Sequence, residues 1–366
     1  MFSAADLRNP LISLSNYEVA TSPIYVFLIG TLHTLSGTYF SIALHTLYVL
    51  FALGSIVIFA KILNPSNWRT FSPIMILFAG SGYFVAPSIW PTSDTPATYF
   101  FLICLYSLLK KDELLLGISA FLLISTRQNF AWLSFALSTF VFFTCERNWN
   151  KYSKLALIFA PSFLSLIVTF FFFDGHLTPP LYEAGNLSNV FIKPNFLTSV
   201  QIGLCLLAIL LPFKLQKIWK HRLEYVSYKY LVITIIFSSF PIIYIFYGKG
   251  QSIEDGLGWI SILVFRLNLN ILFVAALASF GILLLFMLCA TLDQKDKKLL
   301  TTIFISLLVF SLVMPVPFLR YFEVSLIIIC SLILGKRIKG SEELGKIGSI
   351  WLSVFVSLVN FSKIIG

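Results

Sequence analysis

The sequence predicts an all-α fold: a polytopic α-helical integral membrane protein with about 12 transmembrane helices. Three observations carry that reading. Hydrophobic residues make up 58% of the 366 residues and charged residues only 11%, whereas a soluble domain carries about a quarter charged residues. Mean hydropathy is +0.90, and the apolar runs lack the strict alternation of a lipid-facing strand. Lysine and arginine collect in alternate loops between those runs, the pattern of a chain threaded with its basic loops in the cytoplasm.

Residues 1–37 form a first, non-cytoplasmic segment. Its opening stretch holds Asp6, Arg8, Asn16 and Glu18, with neither the basic start nor the apolar core of a signal peptide. Residues 23–34, with Pro23 and His33, read as a short amphipathic helix lying in the interface. No span precedes this segment to carry it across, so the chain reads as starting one helix late.

The multi-pass domain covers 38–366, with spans near 38–62, 72–88, 93–109, 113–126, 130–145, 155–173, 198–213, 230–247, 265–290, 300–314, 319–335 and 347–362. Several are shorter than the roughly 20 residues that cross about 30 Å of hydrocarbon. Such spans cross where the bilayer thins or neighbours shield them. Residues 113–145 are read as a hairpin breaking at Arg127-Gln128-Asn129. One helix of that length would run about 50 Å and would place Lys110 and Arg147 on opposite faces.

Most of the 26 basic residues then share the cytoplasmic face, while the acids divide evenly, as the positive-inside rule expects. The net charge of +10 is therefore a signal of topology, with no nucleic-acid partner implied. Trp68, Trp90, Trp132, Trp149, Trp219 and Trp259 fall near span ends, where an aromatic belt belongs. The five cysteines lie in or beside apolar runs without CxxC spacing and read as small buried hydrophobes. His45, in mid-span, reads as a hydrogen-bonded helix-packing residue. The sequence has no GxGxxG, Walker loop, HExxH or GxSxG, and no metal-ligand cluster, so no cofactor is expected.

The polar features left over gather on the non-cytoplasmic face. They are the N-terminal stretch, Pro91-Thr92-Ser93-Asp94-Thr95, Arg127-Gln128-Asn129 with Trp132, and the loop 174–197, which opens Asp174-Gly175-His176. Glu254-Asp255, Arg266 and Arg320-Tyr321-Phe322-Glu323 complete the set. Ionisable groups at membrane depth are costly and are usually paired or functional. Two arginines beside acids and aromatics would suit a phosphate held at headgroup level. Competing readings stand beside these. Arg127 or Arg320 snorkels to the interface, Asp94 caps the helix that Thr95 and Pro96 open, and His176 is simply solvated.

In this order the motifs resemble the polytopic GT-C glycosyltransferases, most closely the dolichyl-phosphate-glucose α-1,2-glucosyltransferases. Val19-Ala20-Thr21-Ser22-Pro23-Ile24-Tyr25 is similar to that family's I-T-T-x-P-G-L-Y segment without its glycine. Thr92-Ser93-Asp94-Thr95 resembles its acidic turn. Arg127-Gln128-Asn129 with Trp132 is similar to R-Q-T-N-x-x-W without the threonine, and Arg320-Tyr321-Phe322 resembles the late R-Y-F. In the loop 174–197, Asp174 and His176 stand where the family has G-D-x-S-x-H.

The resemblance implies a GT-C-like fold and a hexosyltransferase. Its donor would be a sugar on a polyprenyl phosphate, its acceptor a glycan or glycolipid, and its membrane lipid an intimate partner. Arg127 and Arg320 would offset charge developing on the phosphate. Gln128, Asn129 and Tyr321 would line the binding site. Asp94 would orient an acceptor hydroxyl or an arginine, and Asp174 and His176 would contact sugar or phosphate. The family's catalytic acid, commonly Asp-Glu after the first membrane helix, would fall upstream of Met1. Three readings stay open: the native start lies upstream, Asp6 or Glu18 has taken the role of base, or the chain is a non-catalytic partner subunit. A transporter or flippase of a lipid-linked sugar is the rival class. The Ile/Phe/Lys-rich composition favours a bacterial plasma membrane with the active face periplasmic, the lumenal face of the endoplasmic reticulum being the alternative.

Overall fold

The computed structural model describes residues 23–63, 75–76, 78–81, 84–85, 88, 92–144, 149–172, 196–210, 228–247, 270–312 and 323–338. Every regular element among these residues is helical. Three stretches, Phe27–Leu63, Tyr152–Phe171 and Ile271–Ala290, are long and apolar enough to cross a membrane. The chain divides into two compact units, Met1–Ile62 with Ala86–Asn189, and Leu63–Val85 with Val190–Gly366.

The first unit holds α1 (Pro23–Ser36), α2 (Phe40–Leu63, to Ile62), α3 (Asp94–Lys110), α4 (Glu113–Thr126), α5 (Ala131–Thr144) and α6 (Trp149–Phe172). A 3-10 turn, Gly37–Tyr39, joins α1 to α2. Gly37 sits there at φ 53°, and a side chain at this position would meet nothing within 4 Å. Its glycine is required by the left-handed backbone and not by crowding. The bend lets Tyr25 and Ile29 of α1 join Leu44 and Tyr48 of α2 in one buried cluster, with Leu32 and Phe40 against it.

α3 and α4 are joined by a tight reversal. Lys111 takes the left-handed conformation and Asp112 bonds back to the Ser107 carbonyl at 3.0 Å. The Asp112 carboxylate then caps α4 by accepting from the Leu115 amide at 3.0 Å. α4 and α6 run side by side in the same direction. Lys154 pairs with Glu113 at one end, and the Ser125 and Ser165 hydroxyls lie 3.2 Å apart near the other. The Phe142 and Tyr152 rings stack at 4.7 Å, so the end of α5 returns to the start of α6. Residues 113–144 are thus a hairpin, as the sequence indicates, with Arg127 at its turn.

Apolar side chains cover the outside of this unit. Ile42, Leu50, Leu53 and Val57 of α2 and Leu157, Leu164 and Phe171 of α6 are exposed. Inward hydroxyls bond to their own helix one turn back, as Ser55 does to Phe51, Ser107 to Ile103 and Thr126 to Leu122. This satisfies polar groups where water is excluded. His45 also bonds to its own helix, at the Ser41 carbonyl 2.7 Å away, and its side is exposed. It is hydrogen-bonded, as its mid-span position suggests, but it lies on an exposed face and does not pack between helices.

The second unit holds α7 (Leu197–Leu210), α8 (Tyr228–Ser238), α9 (Phe240–Tyr247), α10 (Ile271–Ala290), α11 (Gln294–Leu312) and α12 (Glu323–Ile338). Its centre is the crossing of α7 and α10. A Cβ on Gly203 would overlap the Ala278 carbonyl, and one on Gly281 would overlap the Gly203 carbonyl oxygen. The two backbones touch, which is how helices without a strong hydrophobic drive between them gain packing energy in lipid. α8 and α9 interrupt the single span read over 230–247. Pro241 has no amide to bond back with and its ring crowds the carbonyl one turn before. The Ser239 carbonyl receives the Ile242 and Ile243 amides instead, at 2.9 and 3.0 Å. Cys104, Cys205, Cys289 and Cys330 are free and buried, as small hydrophobes should be.

Candidate functional site

The first unit brings two of the polar motifs together. α3 begins at Asp94, and α4 ends at Thr126 with Arg127 in extended backbone, φ −153° and ψ 105°. A 3-10 turn, Gln128–Phe130, then leads into α5. The extended residue ends the α4 hydrogen-bond ladder, its amide still bonded to the Leu123 carbonyl at 2.9 Å. That geometry turns the Arg127 side chain towards the start of α3.

Arg127 Nη1 lies 2.8 Å from Asp94 Oδ1 and donates to Ser93 Oγ at 2.8 Å, across 34 residues of sequence. The two charged side chains are 7% and 16% exposed. Thr92 Oγ1 donates to the other oxygen, Asp94 Oδ2, at 3.3 Å. Ser93, although it occupies the cap position of α3, makes no side-chain cap bond. Asp94 is therefore not the helix cap that one reading of the sequence gives it. It is the anionic partner of Arg127. Beside it, Thr95 Oγ1 is buried without a hydrogen-bond partner among the described residues.

An aromatic wall backs this turn. Phe101 of α3, Phe130 and Trp132 form a triangle of rings, with centroids 5.9 to 6.1 Å apart. Trp132 is 1% exposed, so it belongs to the protein interior and not to an aromatic belt. Trp149, 82% exposed at the start of α6, fits the belt. Gln128 is buried at the turn. Phe101 and Trp132 are each 1% exposed, so the ring cluster is part of the unit's dry interior.

The two ends of this unit differ in charge chemistry. Lys110, Lys111, Asp112, Glu113 and Lys154 lie where α3 meets α4 and α6 begins. The Asp94–Arg127 site lies at the opposite end of α3, a helix of 17 residues and so about 25 Å long.

Among the sequence-derived candidates, Asp94, Arg127, Gln128 and Asn129 are at this turn. Asp6, Glu18, Asp174, His176, Arg320 and Tyr321 lie outside the described residues. Sequence reasoning gave no role to Ser93, which ligates the arginine, or to Glu323. Glu323 opens α12 in the second unit, is 1% exposed, and accepts from Ser81 Oγ at 2.9 Å. Glu323 is named in the polar set only as a neighbour of Arg320, although an acid heading an apolar run is a signal of its own. No group of three or more His, Cys, Asp or Glu able to hold a metal occurs among the described residues. No protein-family model, curated protein or solved structure matches the chain.

Proposed function

We propose that this chain is a multi-pass membrane glycosyltransferase of GT-C-like architecture. It moves a hexose from a polyprenyl-phosphate donor to a glycan or glycolipid acceptor on the non-cytoplasmic face, in a bacterial plasma membrane. The observation that carries the proposal is the largely buried Asp94–Arg127 pair at the turn between α4 and α5. A buried arginine at one end of a set of apolar helices is costly unless it serves a role. Here Asp94 and Ser93 hold its guanidinium in one orientation.

In this reading Asp94 positions Arg127, and Arg127 offsets the negative charge that develops as the phosphate leaves. The phosphate is already a competent leaving group, so stabilising that charge is the protein's main task. Arg320 would be the second cation, with Tyr321 beside it. Gln128 and Asn129 would contact the headgroup, and Asp174 and His176 the sugar. Asp6 or Glu18 would take the acceptor proton as general base, which demands hydrogen-bond reach and exclusion of water. No nucleotide takes part.

The test is transfer of radiolabelled hexose from a polyprenyl-phosphate donor by protein reconstituted in vesicles. Asp94→Asn and Arg127→Lys should lower transfer by about a hundredfold, the scale of losing one oriented electrostatic donor, while both variants insert and melt as folded proteins. Wild-type transfer rates in both variants would remove this site assignment. Movement of intact lipid-linked sugar across the vesicle without covalent change would instead assign the chain to transport.

A further inference from the structure

At one end of the second unit, Lys297 of α11 meets Tyr230 of α8, and each has further lysines beside it in sequence. The Tyr230 hydroxyl lies 3.1 Å from Thr301 Oγ1 and donates to the Phe286 carbonyl at 3.2 Å. This pins the start of α8 to α10 and α11. Lys297 Nζ stands over the Tyr230 ring, 3.9 Å from its centroid, a cation–π contact. Lys229 is the neighbour of Tyr230, and Lys295 and Lys298 flank Lys297, all three exposed. Asp293 and Asp296 share the region, so lysines still outnumber acids there.

Directly beside this basic end, α8 shows lipid-type side chains to the outside. Tyr228, Leu231, Ile235 and Ile236 are exposed. An exposed tyrosine (Tyr228), several lysines and an apolar flank are the three features that a headgroup, its phosphate and its acyl chains respectively complement. Partial burial lowers the Lys297 ammonium below the usual lysine range, with the neighbouring Cys289 acting in the opposite sense. An arriving phosphate would offset that loss of solvation.

We propose that the surface formed by Lys229, Lys295, Lys297 and Lys298 binds the headgroup of an anionic phospholipid, whose acyl chains lie along α8. The proposal is independent of the glycosyltransferase reading and of the Asp94–Arg127 site.

The test uses the full chain purified in neutral detergent. Melting is followed while phosphatidylglycerol or phosphatidylcholine is titrated in, and glycerol phosphate serves as the headgroup without chains. Wild type should respond to phosphatidylglycerol at about tenfold lower concentration than to phosphatidylcholine. The preference should fade between about 0.05 and 0.5 M salt. Lys229→Gln, Lys295→Gln and Lys298→Gln combined should bring the ratio near one, with melting in phosphatidylcholine unchanged. An unchanged ratio in that variant, or a wild-type preference indifferent to salt, overturns the proposal. Equal protection by glycerol phosphate also overturns it and leaves a free-anion site. The salt arm needs no variant, so a folding defect cannot hide the answer.

Discussion

The Ser81 hydroxyl donates to the Glu323 carboxylate at 2.9 Å, joining residues 242 apart in sequence inside the second unit. Both side chains are buried. Ser81→Ala removes the donor and leaves a buried carboxylate oxygen less satisfied, at a cost of about 1–3 kcal/mol. Ser81→Thr keeps the hydroxyl and should recover most of that loss if its methyl fits. Thermal melting in detergent compares the two.

The Arg127–Asp94 pair should be far more costly to halve than to remove. Arg127→Ala leaves the largely buried Asp94 without its cation, and Asp94→Ala leaves Arg127 without its anion; each should cost about 3 kcal/mol. Arg127→Ala combined with Asp94→Ala should cost clearly less than the sum of the singles. A double-mutant cycle measures the coupling. Additive losses would mean that the two side chains do not depend on each other.

The Glu113–Lys154 pair is the contrasting case. Both groups are well exposed, and solvent screens such pairs to about 0–1 kcal/mol. Lys154→Gln should shift melting barely at all. A large shift would show that α4 and α6 rely on this end contact more than their buried faces imply.

Gly281→Ala adds one methyl where the Gly203 carbonyl already stands. Backbone cannot rotate away as a side chain can, so the helices must separate, at about 1–3 kcal/mol or more. Gly37→Ala meets no atoms but must hold a left-handed backbone, which costs about 1–2 kcal/mol. Melting should therefore fall in both variants. Only Gly281→Ala should weaken protection of α7 and α10 amides from hydrogen exchange.

How much of this was legible in the sequence depends on what each signal reports. Helix limits were readable where charge or backbone chemistry interrupts an apolar run, as at Lys110-Lys111-Asp112 and at Arg127. The hairpin turn followed from length and charge together. The break before Pro241 has a signal in the sequence, Ser238-Ser239 followed by the proline, but apolar residues on both sides make 230–247 read as one span. Which face of a helix meets protein was not readable, since lipid and protein interior both accept apolar side chains and the amphipathic pattern fades. Trp132 was accordingly read as interfacial and is buried. Asp94 and Arg127 were both singled out, but their direct pairing is a three-dimensional fact that spacing cannot carry. Glu323 stands in the polar set by its position, but its burial and its bond to Ser81, 242 residues away, are not carried by the sequence.

The crossing of α7 and α10 has a consequence for how this protein can change over generations. At positions 203 and 281 every replacement adds atoms, so variation there has only one direction and that direction is blocked. Compensation at the partner position is blocked too, since it is also at the lower limit of size. The crossing is thus frozen while the outward faces of the same helices remain open to drift. Relatives that keep this architecture should betray it by two small residues held at this separation long after the rest of the sequence has become unrecognisable.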